Sequence, residues 1–148
     1  MVAFTLNSAS SGGRQADITL PATVSAGDLL VAMHYDINNE TIPTTPSGWT
    51  LINSITSGTN SGTLGIIVKI ADGTEDGTNL SWLPGSDNNY AAFSLTPDTT
   101  ISSLGSVTGT DAASTFASIS LDATPSAGTL PLMLVYAGGS NGAINVTP

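Results

Sequence analysis

The chain has 148 residues, enough for one domain with a real core, and is 40% apolar but only 9% charged, where an average domain carries about 25% charged residues. Two cations against eleven acids give a net charge of −9. That balance excludes a nucleic-acid partner, which needs a cationic footprint to displace phosphate counterions, and excludes attraction to an anionic membrane surface. With no cysteine, disulfides, thiolate catalysis and cysteine-type zinc sites are also excluded.

The polar surface must come from Ser, Thr, Asn and Gly, residues that favour strands and turns over helix interiors. No stretch repeats apolar residues at helical spacing over three turns, so the composition predicts an all-β fold. The start, Met1 to Ser8, lacks the cationic region and long apolar core of a signal peptide. The longest apolar runs, near Leu29–Met33 and Leu130–Tyr136, fall far short of the roughly 20 residues that span a bilayer. A soluble protein is expected.

In chain order, Val2–Asn7 reads as a short strand and Ser8–Gln15 as a Ser/Gly loop. Ala16–Leu20 alternates, with Ile18 and Leu20 on one face, and stops at Pro21. After the turn at Ala26-Gly27, Asp28–Tyr35 places Leu29, Val31, Met33 and Tyr35 on one face and Leu30 and Ala32 on the other, the pattern of a central strand covered on both sides. Asp36–Ser47 reads as a loop, and Pro46-Ser-Gly-Trp49 as a turn that starts the strand Trp49–Ser57. Thr63–Ala71 sets Leu64, Ile66, Val68 and Ile70 on one face.

Asp72–Gly77 is an acidic turn, Asn79–Leu83 a short strand carrying Trp82, Pro84–Asn89 a turn, and Tyr90–Thr96 a strand. Ile101–Val107, Thr115–Leu121 and Thr129–Tyr136 complete the set. About eight to ten short strands with turns at even spacing predict a single antiparallel β-sandwich over residues 1–148.

Residues 16–35 have an echo at 117–136: Ala16-Asp-Ile-Thr-Leu-Pro-Ala-Thr-Val-Ser-Ala-Gly-Asp-Leu29 matches Ala117-Ser-Ile-Ser-Leu-Asp-Ala-Thr-Pro-Ser-Ala-Gly-Thr-Leu130, and Tyr35 answers Tyr136. Two units of one sandwich that solved the same geometry alike would produce it, in text biased toward Ser, Thr and Ala. So would a duplication whose second module is completed by a neighbouring subunit.

Chemistry is sparse. His34 is the one imidazole; with no second histidine for a metal and no nucleophile elbow, it reads as a half-buried or loop-adjacent strand residue. Asp36 with Glu40, or Glu75 with Asp76, are the acid pairs that could face a cleft, but acids in turns mostly cap their own backbone. Asp36–Glu40 and Asp72–Asp76 could offer oxygens to calcium, without the order of an EF-hand loop.

Trp49, Trp82, Tyr35, Tyr90 and Tyr136 could stack sugars, though each falls on a strand or its edge, where packing in the core is the simpler use. Asn39, Asn79 and Asn145 begin sequons expected by chance in such text. Lys69 reads as a solvated edge charge or a partner for a carboxylate. No catalytic, metal or cofactor residue is assigned, and an enzyme is not expected.

Gly27–Ala32, Pro46-Ser-Gly-Trp49, Val68-Lys-Ile-Ala71 with its acidic turn, and Tyr90-Ala-Ala-Phe93 together resemble a jelly-roll-like β-sandwich module of bacteriophage virion proteins, found in capsid decoration (cement) proteins and tail-fibre segments. The resemblance covers most of the chain and marks strands and turns. It departs at the short C-terminus, which leaves the pairing of the last strand open. It implies a non-enzymatic decoration protein, often trimeric, assembled in the host cytoplasm and seated on the capsid, with the major capsid protein and its own copies as partners. The alternative it implies is a tail-fibre or surface adhesin module binding host glycan.

Overall fold

The computed structural model describes residues 4–36, 41–57, 62–83 and 88–101. The fold is all-β: the described residues contain no helix, and every strand pairing is antiparallel. The described residues form seven strands, in chain order β1 (Phe4–Gly13), β2 (Ile18–Thr19), β3 (Leu29–Asp36), β4 (Thr50–Ser57), β5 (Gly62–Ile70), β6 (Asn79–Leu80) and β7 (Asn88–Pro97). Five form one sheet in the order β1-β7-β3-β5-β4, and β2 pairs with β6 in a two-stranded sheet. The strands expected at 115–121 and 129–136, all of 101–107 after Ile101, and the echo at 117–136 lie outside the described residues.

β3 sits at the middle of the large sheet because both its faces are apolar, so only a position covered on both sides removes them from water. On one face Leu30, Ala32, His34 and Asp36 lie beside Lys69, Ile67, Gly65 and Thr63 of β5 and Ser94, Ala92, Tyr90 and Asn88 of β7. The small sheet covers this face: Ile18, Leu20 and Trp82 pack on Ala32, Ile67, Tyr90 and Ala92, with Leu80 and Trp49 alongside. Trp49 also packs against Val24, Leu30 and Ala71, joining the two clusters. The opposite face gathers Leu29, Val31 and Val68 with Phe4, Ile52, Ile66, Phe93, Leu95 and Ile101.

The two glycine turns use one device. Asp28 N–H donates to the Ser25 carbonyl (3.0 Å) with Gly27 at φ 92°, and Trp49 N–H donates to the Pro46 carbonyl (3.1 Å) with Gly48 at φ 82°. A positive φ at the third residue defines a type II turn and selects glycine there. Beyond the first turn, Gly27 N–H to the Ala71 carbonyl (2.9 Å) and Ala71 N–H to the Asp28 carbonyl (2.8 Å) fasten the start of β3 to the end of β5.

Several boundaries differ from the sequence expectation, for identifiable reasons. Ser8–Gly13 is strand: β1 continues along β7 to Gly13, because backbone pairing satisfies the chain and β1, last in the order of the described strands, buries few of its side chains. Its small residues also allow close approach, since a Cβ on Gly12 would stand 2.8 Å from the Tyr90 ring. Asn7 is the extra residue of a bulge between Leu6 and Ser8, and Ile52 occupies the equivalent place in β4. β6 stops at Leu80, and Trp82 N–H turns back to the Leu80 carbonyl (3.0 Å). β7 begins two residues early, at Asn88, whose buried carboxamide donates to the Gln15 carbonyl (2.8 Å). Asp36, expected in a loop, is the last residue of β3.

Candidate functional site

Among the described residues, three polar groups inside the fold bear on function: a carboxylate clamp at Asp28, an acidic turn closed on Lys69, and a histidine sealed under Trp82.

Asp28 is 1% exposed. Its Oδ2 accepts from Asn7 Nδ2 (2.9 Å), the Ser25 backbone N–H (3.0 Å) and Ser94 Oγ (2.6 Å), and its Oδ1 accepts from Thr96 Oγ1 (2.8 Å). Donors from β1, the turn and β7 thus converge on one carboxylate at the head of β3. Burial alone would raise its pKa, but the bonds from Ser94, Ser25, Asn7 and Thr96 outweigh that and hold it below the ordinary value. The bulge at Asn7 gives β1 the side chain that reaches this clamp.

The turn after β5 is closed in the same way. Glu75 accepts from the backbone N–H groups of Asp72 (3.2 Å), Gly73 (3.0 Å) and Thr74 (3.1 Å), and Lys69 Nζ lies 2.6 Å from its Oε1. Asp72 accepts from the Thr74 hydroxyl and from Lys69 (3.2 Å). Asp76 accepts from the Val24 N–H (2.6 Å), so the turn also grips the segment leading into β3. Burial pushes Glu75 up, yet Lys69 and the backbone donors leave it below its ordinary pKa, and Glu75 in turn raises Lys69. Lys69, on an internal strand, is therefore a carboxylate partner rather than an edge charge.

His34 lies deeper than the sequence suggests, at 1% exposure. Its ring meets Trp82 edge to face at 4.5 Å between centroids and 77° between planes. Gly65, its cross-strand neighbour, leaves the space: a Cβ there would stand 2.7 Å from both His34 Nε2 and Trp82 Cη2. Neither imidazole nitrogen has a hydrogen-bond partner, nor does the buried Thr63 hydroxyl two residues along β5. Burial pushes the His34 pKa down to about 4, against the pull of Asp36 two residues along the same face. At neutral pH it is an uncharged base closed off from solvent, and no substrate reaches it unless Trp82 moves.

The other residues singled out by sequence do not come together. Trp82 and Tyr90 are buried on the face under the small sheet, Trp49 is partly buried there, and Tyr35 points to the opposite face, so these aromatics form no common platform. Glu40 and Tyr136 lie outside the described residues, as do Asn39 and Asn145; Asn79 is in β6, accepting from Thr19 Oγ1 (3.2 Å). Glu75 and Asp76 point to different partners, Lys69 and Val24. Among the described residues no three His, Cys, Asp or Glu side chains group to hold a metal ion, and no helix is long and apolar enough to cross a membrane.

Sequence reading missed the clamp at Asp28, because its donors lie 21 and 66 residues away. It could have found His34 beside Asp36, since both fall on the even positions of one strand. No protein-family model, no curated protein and no solved structure matches the chain.

Proposed function

We propose that this chain is a non-enzymatic structural protein of a bacteriophage virion: a capsid decoration protein with a jelly-roll-like sandwich fold that binds the major capsid protein and its own copies as a trimer. One observation carries the reading beyond the sequence resemblance. The acidic side chains that could have served chemistry are used as internal ties, with four donors on Asp28 and Lys69 plus three backbone N–H groups on Glu75. Such ties stiffen a scaffold whose task is to hold its neighbours. Among the described residues the large sheet ends in β1 and β4, each with one exposed leucine, Leu6 and Leu51, and these are the surfaces we assign to those neighbours. The alternative of a glycan-binding adhesin draws little support from Trp82 and Tyr90, both of which are in the core.

Immunogold labelling of purified virions, with antibody raised against the chain, tests the reading. Label spread over the head at high copy number is the expected result. Label confined to tail fibres, or absent from the particles, overturns it. Sedimentation equilibrium of the purified chain tests the trimer separately.

A further inference from the structure

A buried polar group without a partner needs an explanation, and His34 has two such atoms on one ring. An imidazole that only filled space could be replaced by an apolar side chain at no loss of hydrogen bonding. Its surroundings instead make its charge state decisive. Along its own strand the charged neighbour is Asp36; from β7 it faces Tyr90; from β5 it faces Gly65 and Thr63; and from the cover it faces the Trp82 ring. Gly65 and Thr63 carry no charge at any pH, and among the described residues Asp36 is the single carboxylate in this surround.

The cover is held at the same point. Trp82 lies two residues past the end of β6, packs with Ile18 and Leu20 of the β2 segment, and donates from its indole N–H to the Pro43 carbonyl (3.3 Å). The small sheet itself is only two residues long on each strand. Whatever displaces the Trp82 ring therefore loosens β2, β6 and the loop at Pro43 together.

We propose that His34 is an acid-operated latch: when its ring takes up a proton from solvent, the imidazolium cannot stay sealed between Gly65 and Trp82, and the β2–β6 cover lifts from the large sheet. The proton comes from water and returns to it when the pH rises, so the step is reversible. The direction of the linkage is fixed. The closed form resists protonation down to pH of about 4, while the open form takes up the proton near 6.5, so opening becomes roughly tenfold easier per pH unit on going from 6.5 toward 4. The carboxylates of Asp28 and Glu75 are held below their ordinary values by their donors, so as the pH falls they keep their charge longer than free carboxylates do. The latch is independent of the virion reading, because it needs only the chain itself.

The chain has one histidine and two tryptophans, which makes the test clean. The Trp49→Phe variant leaves Trp82 as the sole tryptophan. Its emission is expected to shift to the red between pH 6.5 and 4.5 and to recover on neutralisation, with the strand signal of the large sheet retained. His34→Phe in the same background is expected to hold its emission unchanged over that range. Proton NMR of the unmodified chain reads the histidine directly, even if that variant does not fold. A His34 ring that titrates well below 6.5, in step with broadening of the Trp82 indole signal, supports the latch. An ordinary titration near 6.5, a Trp82 signal indifferent to pH down to 4.5, or the same emission shift in the His34→Phe chain overturns it.

Discussion

At the scale of the residue, the fold depends on a few atoms with many obligations. Asp28→Ala strands the donors of Asn7, Ser94 and Thr96 and the Ser25 N–H, and is expected to cost roughly 3 kcal/mol, read as a lower urea midpoint at unchanged slope. Because its folded pKa is lowered, the stability that Asp28 adds is present above its ordinary 3.8 and is lost as pH falls through the folded value. Two glycines separate conformation from space. Gly27→Ala meets nothing within 4 Å but must hold φ 92°, and is expected to cost about 1–2 kcal/mol. Gly65→Ala has no unusual φ but drives a methyl against His34 and Trp82, and should cost more, about 2–3 kcal/mol, with a red shift in tryptophan emission that Gly27→Ala does not show.

At the scale of the element, β1 shows how propensity yields to pairing. A run of Ser and Gly has little reason to extend by itself, yet it pairs with β7 from Phe4 to Gly13, the register shifting once at Asn7. What fixes it is contact: the Tyr90 ring over Gly12, the Ser10 hydroxyl on the Thr19 carbonyl, and the Ser8 hydroxyl on the Thr23 carbonyl. Gly12→Val is therefore expected to destabilise by about 1–3 kcal/mol despite its higher strand propensity. Hydrogen exchange should place the loss in the β1 amides while those of β3 keep their protection. A substitution at exposed Ser11, on the same strand, should change stability by less than about 0.5 kcal/mol.

For the whole molecule, the one buried histidine gives stability a pH dependence of definite sign. A folded pKa of about 4 against an ordinary 6.5 means the unfolded chain binds the extra proton, so stability is full above pH 6.5 and falls by about 3 kcal/mol on the way to 4. Chemical denaturation at pH 7.5 and 4.5 measures the difference, and in His34→Phe most of it should vanish. A net charge of −9, with Lys69 already committed to Glu75 and Asp72, makes the molecule repel other acidic surfaces. Any docking onto a capsid must then come from shape and strand edges more than from attraction between charges.

The all-β class, the central position of the strand after Gly27, the two glycine turns and the acidic turn are legible in the residues alone. These follow from local rules: alternation with period two, apolar residues on both faces of one strand, and a positive φ that only glycine adopts easily. Long-range packing makes Ser8–Gly13 a strand, gathers donors from three segments on Asp28 and seals His34 under Trp82. Those depend on which strands lie side by side. The order β1-β7-β3-β5-β4 brings Ser94 and Asn7 to Asp28, and Gly65 to His34, across separations that no local pattern records. The stretch from Gly27 to Tyr35 was legible as a strand; that its aspartate is a clamp and its histidine a sealed base became visible only in three dimensions.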